Sequence, residues 1–216
     1  MITSYKDLSV NKYLELQELL VEECDDLSLQ AQLIGVLADM SEDDVLALSL
    51  DEYQRMVANT SFLLEKPKLN KHIPSSININ GVKYKICKDV PSLNVAQYID
   101  YQTLTASEDK DKLIAQILSC FIVPEGHTYG DGKYDNRAVI EAIGDHLSIQ
   151  DAVSVCFFFH RKYRRLIEDT LIYLDWKMKR MKRKAKDEAT RTKMTEAMNQ
   201  VETLRALLQS GTGLSS

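Results

Sequence analysis

Residues 148–186, SIQDAVSVCFFFHRKYRRLIEDTLIYLDWKMKRMKRKAK, carry helical spacing for roughly eleven turns. Ser148 stands three residues before Asp151, so a hydroxyl cap and a carboxylate meet at the positive end of the helix. Phe157, Phe158 and Phe159 advance by about 100° each and sweep an arc too wide for one narrow stripe, which sends part of that aromatic surface to a second neighbour. Beyond them Tyr163, Leu166, Thr170, Leu174, Met178 and Met181 continue a cleaner seam. After the polar KDEATRTK, the residues Met194, Met198, Val201, Leu204 and Leu208 predict a final helix, and SGTGLSS is expected to fray.

The N-terminal part is also helical in pattern. Tyr13, Leu16, Leu19 and Leu20 form an amphipathic stripe. Ser28 is the expected N-cap of a second helix burying Leu29, Leu33, Val36, Leu37 and Met40. Ser41 with Asp44, and Ser49 with Glu52, are two capping boxes within nine residues. They predict a single turn over 42–47 and a helix over 50–64 carrying Leu50, Tyr53, Met56, Val57, Thr60, Leu63 and Leu64 on one side. These acids cap helices and solvate a surface, so Asp43, Asp44, Asp51 and Glu52 are not read as catalytic.

Residues 66–76 hold two prolines and little periodicity and read as a linker. Ile77, Ile79, Val82, Tyr84 and Ile86 then alternate around Asn80-Gly81, the pair best suited to two positive φ angles, and predict a β-hairpin. Helices resume with Val95, Tyr98, Ile99, Gln102 and Leu104 on one face, and with Leu113, Ile114, Ile117, Leu118 and Phe121 on another. VPEGHTYGDGKYDNR reads as a loop, and its Asp131 and Asp135 lack the ordered ligand series of a calcium-binding loop. The expected fold class is therefore mainly α: a helical bundle with one small β-hairpin and a long C-terminal helical segment. The expected division is an acidic helical domain 1–65, a linker 66–76, a hairpin with helices 77–147, and basic helices 148–216.

Chemistry-bearing motifs are sparse. Cys24, Cys87, Cys120 and Cys156 are scattered, with no C-x-x-C pair, and are read as reduced thiols; Cys156 and His160 lie one turn apart but make only half of a zinc ligand set. The sequence offers no phosphate-cradling glycine loop, no H-E-x-x-H and no G-x-S-x-G, so the expectation is no catalytic residue, no cofactor, no metal and no enzyme. His127 and His146 lack a visible catalytic partner. No apolar run approaches the roughly 20 residues of a membrane span and the N-terminus lacks a signal-peptide order, so no membrane is expected.

Charge is divided along the chain. From residue 161 onward there are 14 Lys and Arg against 7 Asp and Glu, net +7; the part before it has 13 against 25, net −12. Such polarity marks a partner of opposite charge or a second copy of the chain. The candidate polyanion-binding residues are Lys177, Lys179, Arg180, Lys182, Arg183 and Lys184. The candidate partner-binding residues are Tyr53, Phe62, Phe157, Phe158, Phe159 and Trp176.

The order QAQLIGVLADMSEDDVLALSLDEYQRMVANTSFLLEKP, with Leu33, Leu37, Met40, Ser41, Asp44, Val45, Leu48, Leu50, Tyr53 and Phe62-Leu63 as landmarks, resembles part of the bacteriophage tail assembly chaperones. INGVKYKI followed by LNVAQYIDYQ is similar to a strand-then-helix segment of phage proteins of this sort. The resemblance implies a non-enzymatic, homo-oligomeric assembly factor in the host cytoplasm that holds a tape-measure-type client and delivers it to tail-tube subunits. The alternative is a structural virion component of the neck, ring or tail, with its basic helix at a subunit or DNA interface. Nucleic acid ranks behind protein as the partner.

Overall fold

The computed structural model describes residues 1–21, 25–88, 90–185 and 187–210. Among them the chain is mainly α, with nine α-helices and one three-stranded antiparallel sheet. In chain order these are α1 (Val10–Leu19), α2 (Asp26–Ala38), α3 (Glu42–Leu46), α4 (Leu50–Asn59), β1 (Ser76–Ile79), β2 (Val82–Ile86), α5 (Val95–Thr105), α6 (Ile114–Ser119), β3 (Ile122–Pro124), α7 (Asn136–His146), α8 (Ile149–Lys184) and α9 (Glu188–Ser210). The chain divides into two compact units, Met1–Phe159 and His160–Ser216, and α8 passes from the first into the second. None of the described helices is long and apolar enough to cross a membrane.

Local sequence chemistry starts and stops these elements. Both predicted capping boxes form: the Asp44 N–H donates to Ser41 Oγ at 3.1 Å and the Glu52 N–H to Ser49 Oγ at 3.4 Å, while each carboxylate accepts from the cap residue. The Asp151 N–H likewise donates to Ser148 Oγ at 3.1 Å. Asn80 and Gly81 take φ of 49° and 79° and join β1 to β2 as the tight turn their side chains allow. At the end of α2, Asp39 is left-handed (φ 55°) and the Met40 N–H turns back onto Gly35 O at 3.0 Å. A Cβ on residue 35 would stand 2.8 Å from Met40 O, so this return needs glycine.

The first unit closes around an aromatic and aliphatic core. Phe121, immediately before β3, stacks on Phe159 of α8 with centroids 3.8 Å apart and planes 11° apart, and Tyr101 of α5 meets Phe121 edge-on at 5.0 Å. Ile79, Ile86, Leu118, Ile122, Ile143 and Ile149 are buried with them. The N-terminal segment is stitched across this core by backbone bonds, Ile2 N to Leu37 O at 2.8 Å and Ile149 N to Leu8 O at 2.7 Å. Asn70, from the proline-bearing loop, is tied to α8 by its N–H to Ser154 Oγ at 2.8 Å and its amide to Asp151 Oδ1 at 2.6 Å.

Several expectations are corrected. Phe159 belongs to this core, not to a partner-binding surface. The N-cap of α2 is Asp25, whose carboxylate accepts from Leu27 N and Ser28 N; the buried residues are Ala31, Ile34, Gly35 and Leu37, with Leu37 alone shared with the expected stripe. Thr60–Leu64 closes as a 3-10 turn after α4. The hairpin gains β3, paired as Ile86 with Ile122 and Tyr84 with Pro124. Its apolar residues continue the helical stripe of α6 in sequence, so periodicity alone ran the two together, and Pro124 is tolerated because β3 is an edge strand. Sequence reading did not distinguish α7. Cys24, Lys186 and 211–216 lie outside the described residues, as do the side chains of Leu204 and Leu208.

Two outcomes follow from this packing. Phe159→Ala should lower the unfolding free energy by about 3–5 kcal/mol, and Phe157→Ala, at a side chain 51% exposed, by less than about 1 kcal/mol, measured by urea denaturation. Backbone and hydroxyl donors at helix starts hold the Asp25, Glu52 and Asp187 carboxyls below their ordinary range. Depressed folded pKa values contribute stability above the unfolded pKa and lose it as pH falls through the folded values. The denaturation midpoint should thus hold from neutrality to about pH 5 and drop below about pH 4.

Candidate functional site

In the first unit, the outward face of α5 is apolar. Asn94 caps the helix, its Oδ1 accepting the Gln97 N–H at 2.9 Å while its own N–H donates to Gln97 Oε1 at 2.9 Å. The Gln97 amide then donates to Cys120 O at 2.9 Å, which draws this polar side chain inward. Tyr101, one turn on, follows it into the core against Phe121. A helix that buries positions 97 and 101 must turn 95 and 99 outward: Val95 is 75% and Ile99 55% exposed, with Tyr98 beside them. The periodicity grouped Val95, Tyr98 and Ile99 on one face without giving its direction. The signal that could have placed it correctly is the Asn94–Gln97 capping pair, which ties the polar residue to the covered side.

The second unit has little interior of its own. Among its described residues only Leu171 of α8 and Val201 of α9 are buried hydrophobics. The expected seam Tyr163, Leu166, Thr170, Leu174, Met178 and Met181 is partly rotated: Tyr163 and Met178 are half-buried, Thr170 is exposed, Leu166, Leu174 and Met181 are 37–45% exposed, and the covered side runs through Ile167, Leu171, Asp175 and Met178. On the opposite side Ile172, Tyr173 and Trp176 are each more than half exposed. Tyr173 and Trp176 lie 6.1 Å apart, with Lys177 Nζ 5.9 Å from the Tyr173 centroid and Arg180 Cζ 5.5 Å from that of Trp176.

Next to this ridge an open cleft of about 410 Å³ is lined by Lys179, Lys182 and Arg183 of α8 and Arg191 and Met198 of α9. Lys179 pairs with Asp175 at 2.7 Å. Arg191 Nε donates to Ala185 O at 3.1 Å, bracing the turn between the helices. Asp187 caps α9 by accepting the Thr190 N–H at 2.7 Å.

The expected partner-binding residues thus have different placements. Tyr53 is half-buried, packs against the Ala31, Ile34 and Val45 cluster and donates its hydroxyl to Gln30 Oε1 at 3.1 Å. Phe62 is half-buried edge-on to Tyr5 at 5.1 Å. Phe158 is half-buried beside Phe159, whereas Phe157 and Trp176 face outward. Of the cationic set, Lys177 and Arg180 serve the ridge and Lys179, Lys182 and Arg183 the cleft; the Lys184 side chain lies outside the described residues.

Asp131 and Asp135 have local structural roles. Asp131 accepts from Lys133 N at 2.9 Å and Thr128 N at 3.1 Å, which closes a turn and lowers its pKa. Asp135 caps α7 through the Arg137 N–H at 2.9 Å. Among the described residues no three of His, Cys, Asp and Glu gather as a metal set. Burial pushes the Cys156 thiol up to about 12 and the Cys120 thiol up to about 11. Both should react with iodoacetamide near pH 8 more than about tenfold slower than an accessible thiol, read by mass spectrometry of the folded and urea-unfolded chain.

No family model matches this chain, and neither a curated protein nor a solved structure matches it.

Proposed function

We propose that this chain is a non-enzymatic phage assembly factor of the tail assembly chaperone type, which shields a tape-measure-type client through helical surfaces. The observation that carries this reading is the outward apolar ridge of α5, with Val95 75% and Ile99 55% exposed on a helix whose opposite side is tied down by Gln97 and Tyr101. An amphipathic client helix buries its own apolar stripe by lying along such a ridge, and each aliphatic side chain covered contributes about 1.5–3 kcal/mol. The resemblance in residues 30–67 and 79–102 supplies the class of client. A long helical tape-measure chain exposes apolar stripes before the tail tube surrounds it, and a holder with an exposed ridge lowers the aggregation that follows from that exposure.

Co-expression with the tape-measure protein of the same phage tests this. The soluble yield of that protein should rise several-fold with the wild-type chain and return to the level without it for the Val95→Glu, Ile99→Glu double variant. The thermal midpoint of that variant should match the wild type. Purified virions examined by mass spectrometry should lack the chain. A client yield indifferent to the chain refutes the reading, and so does the chain in virions at fixed copy number, which would make it a structural component.

A further inference from the structure

We propose that the cleft between α8 and α9, together with the aromatic ridge beside it, binds single-stranded nucleic acid: phosphates lie among Lys179, Lys182, Arg183 and Arg191, and bases stack on Trp176 and Tyr173. This surface belongs wholly to the second unit and does not depend on the client-binding role of α5.

Among the described residues the cleft gathers four cations and no carboxylate lines it. Lys179 has Asp175 beside it, but Lys182, Arg183 and Arg191 form no salt bridge among the described residues. Like charges held together on two helices repel one another, and an anion in the cleft relieves that repulsion. The dipole of α8 accounts for cations near its C-terminal end without any ligand. Arg191, in the first turns of α9 near the Asp187 carboxylate, reaches back to the C-terminal end of α8 and adds its charge to the same cleft. The bond from Arg191 Nε to Ala185 O holds that side chain at the cleft.

The aromatic side supplies the second half of the argument. Ile172, Trp176, Lys179 and Arg183 follow one another at three- and four-residue steps, so ring and cleft share one side of α8. Trp176 is 54% exposed, and the Arg180 guanidinium over its ring prefixes a stacking platform next to phosphate-binding groups. A single strand offers both a regular row of phosphates and free base faces. A duplex hides its base faces in its own stack, and an acidic peptide has carboxylates but no planar surface for Trp176. The chain as a whole is net −5, so attraction must come from the local field of this unit.

Trp176 is the only tryptophan, so its emission reports the site directly. Titrating the full chain with an oligothymidylate of about 20 nucleotides should give a saturable quench. For four phosphate contacts, affinity should fall roughly 50-fold between about 50 and about 200 mM salt. The same length of duplex should quench less, and polyglutamate not at all. By anisotropy of a labelled oligothymidylate, Lys182→Glu with Arg183→Glu should lose at least about tenfold in affinity. Trp176→Leu, at an exposed position that folding does not need, should weaken binding several-fold and leave the salt slope unchanged. Absence of binding at the lower salt overturns the proposal, as does wild-type affinity in both variants. An equal quench by polyglutamate also overturns it and assigns the cleft to an acidic protein partner.

Discussion

The stack of Phe121 on Phe159 is the contact on which the first unit depends. It joins the residue that leads into β3 to α8, and Tyr101 brings α5 onto the same rings. Burying two phenylalanines face to face removes a large apolar area from water at one place. Around it, Ile122, Ile143 and Ile149 complete an interior drawn from three successive elements, β3, α7 and α8. With Phe159 committed inward, Phe157 is carried outward by the helical step, and with Tyr101 committed inward, so are Val95 and Ile99. The exposed apolar residues are therefore geometric consequences of where the core rings had to go.

The second unit rests on different physics. Leu171 and Val201 are its buried hydrophobics among the described residues, so beyond Phe159 the helical stability of α8, and that of α9, leans on propensity, caps and charge pairs such as Arg164 with Glu168 and Lys179 with Asp175. A helix pair with so small an interior leaves its aromatic residues on the surface. Tyr173 and Trp176 there are flanked by cations, whereas the α5 ridge is flanked by Asp100, whose carboxylate accepts the Tyr129 hydroxyl at 2.8 Å. The two exposed surfaces differ in charge as well as in shape, which suits them to different partners.

Much of the fold was legible in the residues because its signals are local. A serine three residues before an acid is a local helix-start signal, and Ser41, Ser49 and Ser148 each act as one here. Asn80-Gly81 makes its turn because both residues accept positive φ. The site was less legible. Helical spacing identified the ridge of α5 as a set, but spacing alone gives no direction, and the buried partner Gln97 is a polar residue that hydropathy would leave outside. The same ambiguity rotated the seam of α8, where Asp175 and Leu171 share the covered side. β3 escaped notice because three residues are too short to show a period of two.

By itself the sequence determined where the serine-capped helices α3, α4 and α8 begin, where the hairpin turns, and that cations gather on the last third of the chain, since each of these depends on residues a few positions apart. Only the tertiary structure decided which side of α5 and α8 is covered, that Phe159 stacks inward while Phe157 does not, and that Arg191 joins Lys182 and Arg183 around one cleft. Burial is a property of neighbours supplied by distant segments. A local pattern sets the spacing of a face, but the free energy of removing that face from water is settled by what arrives to cover it.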